Sequence, residues 1–165
     1  FFSIGSMALS FSNLLLVALQ CYFLLMNVTV ERSYCESPFK AGDTRFLVLE
    51  TIDFCQAHNP LFLARPEWMR VATCIHAYAF CPFYILVALA ALFDAWARVR
   101  TPILLFMGAK LNAIMFYHVM EFTSDTPPEH LVPYFAVEGP YLLSIALVTF
   151  KAASAPSIKT KAKGS

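Results

Sequence analysis

The stretch TPILLFMGAKLNAIMFYHVM, residues 101–120, decides how this chain folds. It carries Lys110 and His118 but no acid. A helix rises 1.5 Å per residue, so about 20 mostly apolar residues cross the hydrocarbon core of a bilayer. Three other runs read the same way. Residues 1–30 contain no Asp, Glu, Lys or Arg, and this run is too long for the apolar part of a signal peptide. The run between Arg70 and Asp94 is interrupted only by His76 and Pro82, and Leu131 to Phe150 includes Glu138. The expected fold is all-α, a four-span transmembrane helix bundle. Its spans fall at about 4–30, 71–93, 101–120 and 131–150, in a single membrane domain over 1–150 with a basic tail at 151–165.

Composition agrees. The chain is 59% hydrophobic and 14% charged, where soluble domains carry about 25% charged residues. A net charge of +1 argues against nucleic acid as a partner, since that function leaves a basic stripe. There is no Gly-rich phosphate loop, no Gly-x-Ser-x-Gly elbow and no internal repeat. The cysteines Cys21, Cys35, Cys55, Cys74 and Cys81 form no C-x-x-C pair, so neither a zinc nor a redox motif is read here. Cys35 and Cys55 share a loop and either bridge on an oxidising side or stay apart; spacing alone does not bring them within disulfide reach.

The first connection, Glu31 to Arg70, is long and mixed in charge. Within it Thr44 to Asn59 reads as a short interfacial helix covering one mouth of the bundle. Asp43 is its expected N-cap, and Phe46, Leu47, Leu49, Ile52 and Phe54 are its apolar set. Trp68 suits an interfacial aromatic belt. Arg98 and Arg100 in the short second connection, and Lys151, Lys159, Lys161 and Lys163 in the tail, fall on one side of a four-span chain. The positive-inside rule makes that side, with both termini, cytoplasmic or matrix-like. An organellar inner membrane or the endoplasmic reticulum is the expected location.

Charged groups at membrane depth are costly, and are usually paired or functional. Counted from the basic face, Lys110 lies about 14 Å in and Glu138 about 18 Å. The two should meet as a buried ion pair, either receiving a ligand or locking helix register; the second is our reading. Gly108, Ala109, Ala113 and Gly139 would let the helices approach closely. His76 and His118 share a layer about 26–27 Å from the basic face, near Asn27 and Glu31. Lys110, Tyr117, His118 and Glu121 form a polar stripe on one helical face, expected to point inward. His76, His118 and Glu121 could form an acid–base or metal set, but a hydrated polar cluster is the commoner arrangement at a membrane edge. No catalytic residue and no metal site is assigned. The candidate ligand or lipid pocket comprises Asn27, Asn59, His76, Tyr117, His118 and Glu121.

The ordered set Asn59-Pro60-Leu61, Pro66, Trp68, Pro82-Phe83-Tyr84, Arg100-Thr101-Pro102 and Pro140-Tyr141-Leu142-Leu143 resembles the EXPERA superfamily. That family includes the sigma-two receptor and, more distantly, the emopamil-binding sterol isomerases; the receptor branch is the closer likeness. The resemblance covers about three-quarters of the chain and implies four spans around a lipid-handling interior. It also implies three acids that hold cationic amines. At the matching positions this chain has Asn27, Asn59 and His76, so a cationic ligand gains little. The isomerase His and Glu set is echoed only distantly, by His118 and Glu121.

Three functions follow as expectations. The first is a non-catalytic accessory or scaffold subunit of a larger organellar membrane complex, with membrane lipids and other membrane-protein subunits as partners. The second is a binding protein for sterol or another neutral lipid. The third, ranked last, is a sterol double-bond isomerase. No cofactor is expected beyond a bound sterol or phospholipid.

Overall fold

The computed structural model describes residues 10–156. Four helices are long and apolar enough to cross a membrane, and the chain is a multi-pass integral membrane protein. They are α1 (Phe11–Glu36), α4 (Glu67–Leu92), α5 (Trp96–Phe122) and α6 (Leu131–Ser154). Two short helices, α2 (Val48–His58) and α3 (Pro60–Ala64), lie in the first connection. Among the described residues there is no strand. In the bundle α1 packs against α4, α4 against α5, α5 against α6, and α6 back against α1.

The spans outrun the uncharged stretches. The helix of α1 continues past Val30 to Glu36, and α4 starts at Glu67. Charges at these ends are partnered rather than helix-ending: Glu67 pairs with Arg70 one turn on, and Glu31 is bonded inside the bundle. The last helix takes in Lys151, while Lys159, Lys161 and Lys163 lie outside the described residues.

Buried apolar side chains converge between the spans, among them Leu16, Phe23, Val87, Ile103, Phe106 and Val148. Large apolar groups also face outward, such as Leu105, Val132 and Phe150, as a bilayer solvent permits and water does not. The small residues do not act as expected. A methyl group added at Gly108 or Gly139 would meet no atom within 4 Å, so these glycines are not close-approach points.

Two π turns interrupt the regular helices, at Asn27–Glu31 in α1 and His76–Phe80 in α4, and they pack against each other. The second lies just before Pro82, whose ring excludes the carbonyl four residues back and forces the helix to widen. The first contains the β-branched run Val28-Thr29-Val30, with Thr29 Oγ1 donating to the Leu25 carbonyl at 2.6 Å, a back-bond that bends helices. In α5 the backbone departs from helix at Val99, three residues before Pro102, for the same reason as at Pro82.

The interfacial helix is shorter than expected and begins at Val48, not Thr44. Asp43 does not cap it. Its carboxylate instead accepts from the Arg45 backbone N–H at 3.1 Å and from Arg45 Nε at 2.9 Å. The cap position falls to Leu47, in the left-handed region at φ 63°. The expected apolar set divides: Ile52 is buried, Leu47 and Phe54 are half-buried, and Phe46 and Leu49 are exposed. Asn59 caps α3, its Oδ1 accepting from the Phe62 N–H at 3.2 Å, with Pro60 in the first turn where its missing donor costs nothing. A disulfide joins Cys35 to Cys74, not to Cys55, with Cα atoms 5.5 Å apart. It ties the end of α1 to α4, and Cys55 is a free buried thiol.

Candidate functional site: a lidded cavity between the spans

A cavity of about 300 Å³ opens between α1, α4, α5 and α6 under the segment that carries α2 and α3. This is at the lower end of the roughly 300–1,000 Å³ typical of small-molecule sites. Its wall is mostly apolar, with Met26, Val30, Phe54, Ile114 and Val137 among the lining residues. Glu31, His76, Lys110 and Glu138 supply polar groups.

The paired π turns build the first polar group. Asn27 is buried and its Nδ2 donates to Glu31. The Glu31 oxygens lie 3.1 and 3.2 Å from His76 Nδ1, and His76 Nε2 lies 2.9 Å from the Tyr84 hydroxyl. Glu31 thus meets Nδ1 and the Tyr84 hydroxyl meets Nε2. Both nitrogens of His76 are therefore occupied.

Glu121 holds the second group together. It is fully buried and accepts from Asn59 Nδ2 at 2.7 Å and from the Tyr134 hydroxyl. This fastens the covering segment to α5 and α6. The same end of that segment is also held by Tyr34, whose hydroxyl donates to the Phe62 carbonyl at 2.9 Å. Arg65 donates to the Tyr34 carbonyl at 2.8 Å. Cys55 lines the cavity from the cover, and burial pushes its thiol up to about 12, with the charges of Glu121 and Glu138 adding to the shift.

The expected Lys110–Glu138 ion pair is not formed. Lys110 is buried, and its Nζ has no hydrogen-bond partner among the described residues. It sits over three aromatic rings, 4.3 Å from the centroid of Phe23, 4.4 Å from Tyr84 and 5.2 Å from Tyr141. Glu138 faces His118 instead, Oε2 to Nε2 at 3.7 Å. The reason is rotational. Depth along the axis brings the two residues level, but the Lys110 ammonium is taken by rings on α1, α4 and α6, Tyr141 among them, rather than by the Glu138 carboxylate.

The stripe on α5 does face inward: Lys110 and Glu121 are buried, Tyr117 and His118 half-buried. The set His76, His118 and Glu121 is not assembled, because His76 bonds to Glu31 and Tyr84 while Glu121 bonds to Asn59 and Tyr134. Of the expected pocket residues, Asn59, His76 and Tyr117 line the cavity; Asn27, His118 and Glu121 stand behind it as partners of lining or cover residues. Among the described residues no group of three or more His, Cys, Asp or Glu is placed to hold a metal. Tyr84 and Tyr141 entered the sequence reading only through the family resemblance, without a role at the site, and Tyr134 was not singled out. Tyr84 is eight residues from His76, and Tyr134, Glu138 and Tyr141 are spaced four and three apart, so shared helical faces were the available signal.

No family model matches the chain, and neither does any curated protein or solved structure.

Proposed function

We propose that this chain is a non-catalytic membrane binding protein that holds one small amphiphile beneath the first-loop cover, on an EXPERA-like fold. The single observation that supports this best is the cavity itself. Its apolar wall with a few polar groups is the usual make-up of a ligand site, and a bundle serving only as scaffold needs no such space. The scaffold reading rested on the replaced acids at Asn27, Asn59 and His76 and on a bridge between Lys110 and Glu138; the bridge is absent. The volume suits one small amphiphile, a sterol-like molecule or a single chain, better than a two-chain phospholipid. We place both termini on the cytoplasmic or matrix-like side, from the basic second connection and tail. We place the cover on the opposite, oxidising side, where a disulfide such as Cys35–Cys74 persists.

The test is native mass spectrometry of the full chain released from mild detergent. The expected result is a bound small molecule above the 18.5 kDa chain. Ala113 lines the cavity, and Ala113→Trp should remove the bound mass while leaving helix content unchanged. A wild-type chain with no bound mass, and no uptake of added sterol or single-chain amphiphile, refutes the reading.

A further inference from the structure

Among the described residues, the cavity is lined by one fully buried side-chain nitrogen without a hydrogen-bond partner. Glu31 already has Asn27 and His76 on its oxygens, and Glu138 faces His118 at 3.7 Å without a hydrogen bond to Lys110. Glu50 lines the cavity from the cover and is exposed, so water serves its oxygens. Lys110 is different: it lines the cavity, is only 1% exposed, and its ammonium meets ring faces but no oxygen. Ring faces attract a cation yet satisfy none of its three N–H donors. A buried charge without a hydrogen-bonded counter-charge is costly, and structures normally supply one. Here no residue within the described part of the chain does.

We infer that the ligand supplies it, and that the amphiphile held in this cavity is a long-chain carboxylate whose head docks on Lys110. This rests on the proposal that the cavity binds a single amphiphile. A carboxylate neutralises the ammonium and offers two acceptor oxygens; an alcohol offers one acceptor and no charge, and an amine repels. Phe23 and Tyr84 form the nearer part of the ring enclosure, and Tyr141 the farthest at 5.2 Å. Tyr141 also lines the cavity, so the head group reaches Nζ past its edge. The chain of the ligand then runs along the apolar wall formed by Met26, Val30 and Ile114.

The experiment compares three probes with the same twelve-carbon chain, dodecanoate, dodecanol and dodecylamine, on the full chain in nanodiscs, with empty nanodiscs as the blank. The wild-type protein should retain dodecanoate at least tenfold better than dodecanol and exclude dodecylamine. Lys110→Met should lower dodecanoate retention at least tenfold and leave dodecanol within twofold, which also reports an intact cavity. Should that variant fail to fold, the wild-type ranking decides the question unaided. Equal retention of dodecanoate and dodecanol, or a preference for dodecylamine, overturns the carboxylate inference and leaves the binding proposal standing. Retention of none of the three overturns the carboxylate inference, and the binding proposal falls with it when added sterol is not taken up either.

Discussion

Changing Glu121 should loosen the bundle and its cover together, by an amount that can be worked out from its two partners. The carboxylate is fully buried and accepts from Asn59 on the cover and Tyr134 on α6. A hydrogen bond to a charged group is worth about 1.5–3 kcal/mol. Side-chain bonds between spans measured in bilayers are weaker, averaging about 0.6 and reaching about 1.7 kcal/mol. The Asn59 bond comes from outside the spans, so the first range applies; the Tyr134 bond joins two spans, so the second does. Glu121→Gln keeps the shape but serves only one donor with its amide oxygen, for a loss of about 0.6–3 kcal/mol. Glu121→Ala orphans both donors, for about 2–5 kcal/mol. The assay is the thermal midpoint of the full chain in mild detergent, where each kcal/mol moves it by about 2–4 °C. Tyr134→Phe and Asn59→Ala complete two double-mutant cycles. An alanine variant no less stable than the glutamine one, or coupling below about 0.3 kcal/mol in both cycles, would refute the reasoning.

Lys110→Met and Glu138→Gln should show coupling below about 0.5 kcal/mol in a stability cycle, since the two side chains do not pair; a coupling above about 2 kcal/mol would restore the ion pair. Peptide mapping without reduction should find Cys35 linked to Cys74, and Cys55 unlabelled by iodoacetamide at pH 8, because burial pushes its thiol up to about 12. Replacing both bridged cysteines by serine should cost about 2–4 kcal/mol. The Arg45 guanidinium holds the Asp43 carboxyl at about 2, below its ordinary 3.8, so its contribution is fully present above about pH 4 and is lost as pH falls toward 2. Amide-exchange protection at Arg45 should therefore be flat from pH 8 to 5 and fall below pH 4; a transition centred near pH 6 would contradict this.

The four spans were legible because length and polarity are properties of a run, and residues 11–26 or 131–150 need no partner to declare them. Their ends were not. Glu31, Glu67 and Arg70 look like stops in a list of residues, yet each has a partner that lets the helix continue. The inward stripe on α5 could be read from the helical period. The pairing of Lys110 could not, because depth along an axis says nothing of the direction in which a side chain turns. The π turns add a second obstacle: each shifts the register of the face beyond it, so the meeting of Asn27, Glu31 and His76 depends on backbone widening that only Pro82 hinted at. The Cys35–Cys74 bridge was hidden for a related reason, as the extension of α1 to Glu36 is what brings Cys35 beside α4.

The cover runs between two residues that are not glycine yet lie in the left-handed region, Leu47 at φ 63° and Arg65 at φ 51°. Each such conformation costs on the order of 1–3 kcal/mol, a cost the closed cover bears at both positions. The closed position is thus a latch held against two cocked joints, with Asn59, Tyr34 and Arg65 as its catches. For an occupant of the cavity this separates two quantities usually treated as one. How tightly it is held depends on the walls, while how long it stays depends on how often the latch slips. A glycine at position 47 would relax one joint, but Leu47 also lines the cavity, so the change would alter the wall as well as the stay.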